Sequence, residues 1–599
     1  MLLGRPALEA CLLGATSLKA AAALEQQGES VLAVCVLLLT VFASATEYTC
    51  GNRKVLREHS RAAESEGLAL GTLMLPWLMG AMRTAGPVGH AHGGDVTAAV
   101  YATLASSATL LTTMHWQTPA EDRQVPESPA AKTKAAAPTS TWLHLGMQAC
   151  GAFFALAVMV SQLMTSRYSM QPVLNSLIMA CLAPVLGWGL LQAVPSCLTV
   201  GEACLISQTL VLLGWRMVLS LPALLILLPD MLMGELGSQP EHVVLVVKYV
   251  VSVALAAAAS AGRSMWHLGQ AAASPPAVAL PRSHAVIAGS TACAGILAGL
   301  PPAMWAVRFA LSTGKRALMT GYWSALLALA LPLIHRCAAA AGLPKTVVRK
   351  LYHLLAAAIF LPGLVFAEPG LVAVAAAAVF AVLVVLELLR VGRVPPLGEA
   401  LQGFMVQFTD ERDAGPLLMS HFSLLLGMSV PLWLALGRVE ASVLAEINDG
   451  VTPPPFQFPR CMHLLAIMRC VFMSAITFVH QGREELLCGP GPAAGMLALG
   501  FLDTAASVVG TTAGRLPIYT GAKKTLEGLV GGVACTFAAC AFLPLRHCGH
   551  GNAAIWIDAS SSRLMLATLA TGLLEAVTTQ MDNFFLPLYY YMMLLLPPF

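Results

Sequence analysis

Long apolar runs recur along the whole chain. They lie near 31–47, 68–84, 95–115, 142–165, 172–195, 205–234, 242–262, 284–311 and 317–335. They continue near 350–366, 370–389, 417–437, 493–513, 526–545, 563–579 and 583–597. A helix of about 20 apolar residues spans the hydrocarbon core of a bilayer, so runs of this length predict membrane-crossing helices. The expectation is an all-α polytopic integral membrane protein with roughly 14–17 transmembrane helices. Polar punctuation is sparse. Residues 117–141 read as a disordered loop, and 263–283 as a shorter Ser/Pro/Ala loop.

Polar clusters recur at the span ends only in the second half of the chain. This contrast suggests a multi-span membrane region over 1–340, read as scaffold, and a catalytic membrane unit over 341–599 with an insert at 438–492. The insert holds Pro453, Pro454 and Pro455, and then an apolar run at 461–480 with Arg469 at its middle.

Composition agrees with the pattern. Of 599 residues, 57% are hydrophobic and 11% charged, with a mean hydropathy of +0.73. Soluble domains carry about 25% charged residues. A net charge of +3 is too small to argue for nucleic acid. The cysteines are scattered without a CxxC pair and read as small packed hydrophobes. The groups His547/Cys548/His550 and His90/His92/Asp95 lack a second ligand pair at zinc spacing and read as loops. No signal peptide and no N-x-S/T sequon stand out.

Four polar clusters carry the candidate chemistry. Arg349, Lys350 and His353 open a span and share a helical face. Asp410, Glu411, Arg412 and Asp413 precede the run at 417. Asp503 lies inside an apolar run and is followed by a Gly/Thr-rich turn with Lys523, Lys524 and Glu527. Glu575, Thr578, Thr579, Gln580, Asp582 and Asn583 form the fourth. The bland readings are topology anchors for the basic residues and a solvated surface for the acidic loop. Asp503 resists such a reading, because an acid within a membrane span is costly.

Counting crossings places all four clusters on one face, provided that 461–480 does not cross the bilayer alone and is interfacial or re-entrant. That face holds Lys345, Arg349, Lys350, Arg390, Arg393, Arg412, Arg515, Lys523 and Lys524. Positive residues favour the cytoplasmic side, so the site is expected to face the cytoplasm. A transporter site would instead lie near mid-membrane.

Phosphoryl transfer suits these residue types. Phosphate is held by point cations and backbone N–H groups, which Lys523 and Lys524 beside Gly510, Gly514 and Gly521 can supply. Glu527, four residues after Lys523, is expected to orient that lysine on a helix. Asp503, Asp410 or Asp582 could hold a Mg²⁺-type ion. Asp503, His353 or an acid of 410–413 could accept the proton of an attacking hydroxyl. Neither G-x-x-x-x-G-K-[ST] nor the protein-kinase loops occur, so a nucleotide site here is of another type.

At these residues the chain resembles the dolichol kinase family, the CTP-dependent polyprenol kinases of the endoplasmic reticulum. The matching stretches are VRKLYHLLAAAIFLPGLVF, DERDAGPLLMSHFSLLLGMSVPLWL, LDTAASVVGTTAG with AKKTLEG, and LLEAVTTQMDNFFLPLY. They cover most of 345–599; the N-terminal half matches only as a hydrophobic multi-span region. The resemblance implies transfer of the γ-phosphoryl group of CTP to dolichol, a divalent cation such as Mg²⁺, and supply of the lipid carrier for protein glycosylation. It implies a multi-pass protein of the endoplasmic reticulum membrane whose partners are CTP, the polyprenol and the bilayer. It places the CTP-binding region at about Thr511–Gly528, including Gly514, Arg515, Gly521, Lys523, Lys524, Glu527 and Gly528, with Arg349 and Lys350 beside it. Asp503, Asp410, Asp413 and His353 become the catalytic candidates, and Asp503, Asp582 and Glu575 the metal candidates. Phytol kinases and phosphatidate cytidylyltransferases look related in the D…G…KK-x-x-EG stretch, so a CDP-lipid-forming enzyme or another polyprenol kinase is the alternative. Two departures stand out: Leu502 replaces the family's glycine, and the 438–492 insert is long.

Overall fold

A computed structural model describes residues 4–50, 60–61, 65–85, 93–116, 155–158, 160–162, 170–233, 240–273, 282–342, 345–366, 368–405, 413, 415–450, 491–542 and 559–597. The first helices are α1 (Arg5–Gln26), α2 (Ser30–Cys50), α3 (Leu68–Thr84), α4 (Gly93–Trp116), α5 (Met170–Ala193) and α6 (Val200–Met233). Next come α7 (Pro240–Ala273), α8 (Arg282–Leu311), α9 (Gly314–Ala341), α10 (Lys345–Val365), α11 (Pro369–Val391) and the short α12 (Leu397–Met405). The last are α13 (Met419–Gly450), α14 (Ala494–Ala513), α15 (Leu526–Phe542), α16 (Ala559–Val577) and α17 (Asp582–Leu595).

Among the described residues no strand forms, and 11 helices are long and apolar enough to cross a membrane. Two shorter apolar helices, Val200–Trp215 and Leu526–Cys540, join them. The chain is an all-α, multi-pass membrane protein. Residues 117–141, His90, His92, the run 461–480 and the His547/Cys548/His550 group lie outside the described residues, as does Asp410.

One candidate span falls where the hydrophobic pattern showed no run. Helix α1 carries Arg5, Glu9 and Lys19, which interrupt its hydropathy. The fold gives each of them a polar partner. Arg5 pairs with Glu9 one turn on at 3.4 Å, and Lys19 Nζ donates to the Pro597 carbonyl at 2.8 Å.

Helix α17 sits at the centre. Every residue from Asp582 to Leu594 is buried, as expected of a helix that is apolar on all sides. Helices α3, α13, α14 and α16 pack around it. Its tyrosines find partners inside: Tyr589 shares a hydrogen bond with Thr16 at 2.6 Å, and Tyr590 with Thr568 at 3.1 Å. A continuous apolar core thus includes residues from both sides of position 340. Helices α8 and α9 are peripheral, with Leu297 73% and Leu329 72% exposed, as lipid-facing side chains would be. Helix α9 is tied inward through Trp323 Nε1, which donates to the Ile359 carbonyl at 2.6 Å.

Helices α14 and α15 approach closely because α15 opens with glycine. A Cβ on Gly528 would lie 2.7 Å from the Ala506 carbonyl oxygen. That contact is too short for any side chain, so a methyl group there forces the two helices apart. We expect Gly528→Ala to destabilise the protein by about 1–3 kcal/mol, the range for overpacking a tight contact. Thermal unfolding of the detergent-solubilised protein measures it.

Candidate functional site

The site is built where α10, α14, α16 and α17 meet. Helix α14 is not a regular α-helix. Its segment Leu497–Asp503 winds as a π-helix, and Thr504 Oγ1 donates to the Leu499 carbonyl five residues back at 2.9 Å. Such π-turns are rare and cluster at functional sites. This one ends on Asp503, whose side chain is 1% exposed.

Asp503 is paired from α10. Lys350 Nζ donates to its Oδ2, and His353 Nδ1 lies 3.3 Å from the same oxygen. Lys350 and His353 are three residues apart, so one helical face delivers both. The remaining oxygen, Oδ1, is buried without a hydrogen-bond partner. Arg349, one residue round the helix, turns instead to a small cleft lined by Asp413, Ser420, Ser423, Met581, Asp582 and Asn583.

The second lysine contact comes from the turn after α14. Lys524 Nζ donates to Glu575 Oε1 on α16. Glu575 is 3% exposed and Lys524 38%. Partial burial pulls the Lys524 ammonium down, but the Glu575, Asp582 and Asp503 carboxylates outweigh it and hold it above the usual lysine range. Lys523 is exposed, without an ion-pair partner among the described residues. Thr511 is exposed in the last turn of α14, and Arg515 and Gly521 are exposed on the turn that follows, with Gly521 at φ +84° where only glycine is unstrained; Gly514 is half-buried.

The turn is a small hairpin. Ile518 N–H donates to the Lys524 carbonyl at 3.2 Å, and Leu526 N–H to the Leu516 carbonyl at 2.8 Å. The expected role of Glu527 needs correction. Helix α15 starts only at Leu526, so Lys523 precedes it and is not one turn away on the same helix. The Glu527 carboxylate instead accepts the Leu516 N–H, at 3.2 and 3.1 Å, and staples the hairpin shut.

Asp413 also has a structural duty. Its carboxylate accepts the Ser420 N–H at 3.1 Å and the Ser420 hydroxyl at 2.8 Å, fixing the start of α13. From there it lines the cleft with Arg349 and Asp582. Behind it Arg390 is held by both Glu387 oxygens, at 2.8 and 2.6 Å, and donates to the Pro416 carbonyl at 2.7 Å. The sequence reading missed this network; its signal was an acid and a base three residues apart inside an apolar run.

The described members of the four clusters therefore meet. Lys350 joins the first to the third, Lys524 the third to the fourth, and the cleft the first, second and fourth. Among the described residues no three acidic, histidine or cysteine side chains converge as a ready-made metal cluster. The orphaned Asp503 Oδ1 and the equally orphaned, buried Asn583 Oδ1 are nevertheless oxygens suited to a hard cation. Leu502, at the position of the resembled family's glycine, is buried.

Comparison with known proteins gives a likeness independent of the geometry. The family model "Dolichol kinase" matches residues 133–428. The match takes in Arg349, Lys350, His353 and the 410–413 loop, and ends before Asp503. It also extends the likeness well into the N-terminal half, which the sequence motifs had left as undifferentiated spans. The chain is similar to dolichol kinase EVAN of Arabidopsis thaliana, at 34% identity over 49% of this chain and 43% of that protein. It is similar to the dolichol kinase of Homo sapiens, at 32% identity over 49% of this chain and 47% of that protein. A Saccharomyces cerevisiae dolichol kinase is 25% identical over 48% of this chain and 44% of its own. The chain thus spans less than half the length of these curated relatives. No solved structure matches.

Removing one partner of a buried pair leaves an uncompensated charge, at a cost of about 3–5 kcal/mol. We expect Lys350→Met to lower stability by that order, and Lys350→Met/Asp503→Leu to recover most of it. Thermal unfolding of both variants checks the expectation; equal losses would contradict it.

Proposed function

We propose that this chain is a dolichol kinase, transferring the γ-phosphoryl group of CTP to the terminal hydroxyl of dolichol. The observation that carries the reading is the pair of lysine–acid contacts, Lys350–Asp503 and Lys524–Glu575, brought together from distant parts of a membrane protein. Similarity to dolichol kinases supports the lipid, and the resemblance of the AKKTLEG stretch supports CTP as the donor.

In this reading Lys350, Lys523, Lys524 and Arg349 bind the phosphates of CTP. Without substrate, two of the lysines are neutralised by acids. Asp503, with Asp582 and Glu575, would hold a divalent cation, probed as Mg²⁺. Mg²⁺ is generally bound by one or two carboxylates plus substrate phosphates, so a full protein cage is not required. Held by these carboxylates, such a cation would supply neutralisation of the charge that develops in transfer. The hairpin stapled by Glu527 sets the position of Lys523 and Lys524. The proton of the attacking hydroxyl passes to His353 or Asp503, which lie side by side. Asp413 shapes the cleft beyond Arg349.

We further place the protein in the endoplasmic reticulum membrane with its site toward the cytoplasm. The concentration of Arg349, Lys350, Arg390, Arg393, Arg515, Lys523 and Lys524 around the site supports this orientation. Cytosolic CTP then reaches the headgroup side, and the lipid hydroxyl arrives from the bilayer.

Membranes holding this protein are expected to label dolichol from γ-labelled CTP and not from α-labelled CTP. Lipid label from the α position would instead mean a cytidylyltransferase. Lys523→Ala/Lys524→Ala should lower the γ-label by about 10²-fold or more, the scale for losing charge stabilisation at a phosphoryl group. Undiminished labelling would overturn the phosphate role. Chelation of divalent cations should abolish labelling and added Mg²⁺ restore it.

A further inference from the structure

The start of α6 carries a helix-capping pattern with more contacts than capping needs. Thr199-Val200-Gly201-Glu202 has the T-x-x-E form of a capping box. The box is made: Glu202 Oε2 accepts the Thr199 N–H at 2.9 Å, and Thr199 Oγ1 accepts the Glu202 N–H at 3.2 Å. Such boxes usually sit at the surface, yet Thr199 and Glu202 are both 0% exposed.

Their remaining atoms explain the burial. Glu202 Oε1 accepts the backbone N–H of Met581 at 2.7 Å and an ion pair from Arg61. The Thr199 hydroxyl donates to Gln580 Oε1, and Gln580 Nε2 donates to the Ser65 carbonyl at 3.2 Å. The chain between α16 and α17 is therefore gripped on two consecutive residues by groups far away in sequence. The next two residues are Asp582 and Asn583, which line the cleft with Arg349 and Asp413.

We propose that Glu202 and Thr199 are positioning residues for the phosphoryl-transfer site, acting through Gln580 and Met581 to fix the placement of Asp582. The proposal rests on the kinase reading above for its activity readout. It gives part of the 1–340 region a function. A buried carboxylate costs several kcal/mol to desolvate unless well paired, and a cap alone does not require that expense. Holding a loop backbone beside a charged cleft does, because small displacements of a catalytic group cost about 10²-fold in rate.

The test uses the full chain in detergent or nanodiscs. Variants are Thr199→Val, which removes only the hydroxyl, Thr199→Ser, which restores it, and Glu202→Ala. Arg83→Gln is the control, since Arg83 pairs with Glu29 at 3.0 Å elsewhere among the N-terminal helices. Hydrogen exchange of the backbone amides 578–583 should quicken by about 10-fold or more in Thr199→Val and Glu202→Ala. Thr199→Ser and Arg83→Gln should leave it unchanged. The kcat for CTP-dependent labelling should fall about 10-fold or more in Thr199→Val, with the KM for dolichol within about twofold of the unaltered protein. Unchanged exchange in Thr199→Val overturns the proposal, as does quickened exchange with unchanged kcat. Should Glu202→Ala fail to fold, Thr199→Val still decides. Unaltered protein that labels no lipid refutes the kinase reading, while the exchange contrast still reports on the grip itself.

Discussion

A charge in a membrane interior has to be answered by another charge, and the pairing of Asp503 with Lys350 is where this chain meets that requirement. Neither group is at home among apolar helices, and each makes the other tolerable. The pair fixes how α10 lies against α14, since Lys350 reaches Asp503 only if the helices approach at this level. Once they do, His353 falls beside the same carboxylate and Arg349 is turned into the neighbouring cleft. The second pair, Lys524 with Glu575, repeats the arrangement between the hairpin and α16. In the proposed reading, a phosphate or a cation competes for either partner of each pair. Such contacts stabilise the resting protein while leaving charge ready for exchange.

The site is assembled from several layers of support. Glu527 closes the hairpin, Asp413 caps α13, and Arg390 with Glu387 secures the chain near Pro416 and Leu418. Cys197 adds a link from the N-terminal half, with its sulfur 3.4 Å from the Leu417 nitrogen. Most of these are side-chain contacts to backbone groups. They fix loops rather than merely adding to the apolar core, which suits a site carried on span ends.

The sequence made the helical architecture legible because hydropathy reports burial in lipid directly. It also revealed the acids and bases, since charge is rare enough here to be conspicuous. Helix α1 escaped because Arg5, Glu9 and Lys19 break its apolar run, and only the fold supplies their partners. The role of Glu527 was misread because spacing cannot say where a helix starts. A four-residue interval means one turn inside a helix, but Lys523 stands before the helix begins. The T-x-x-E of residues 199–202 was visible as a string, but its grip on Gln580 and Met581 crosses hundreds of positions. Contacts of that range have no periodicity to betray them.

The π-helical stretch Leu497–Asp503 governs how this chain tolerates change. A π-turn amounts to one residue more than an α-helix needs, about 100° of rotation. Deleting a single apolar residue between Leu497 and Leu502 would hardly alter the hydropathy of the span, and topology would be preserved. The helix could then close into regular α-turns with its two flanks still in phase, and the widened turn that leads into Asp503 would be lost. The winding of this one helix, invisible to any measure of composition, is what distinguishes it from an ordinary membrane span.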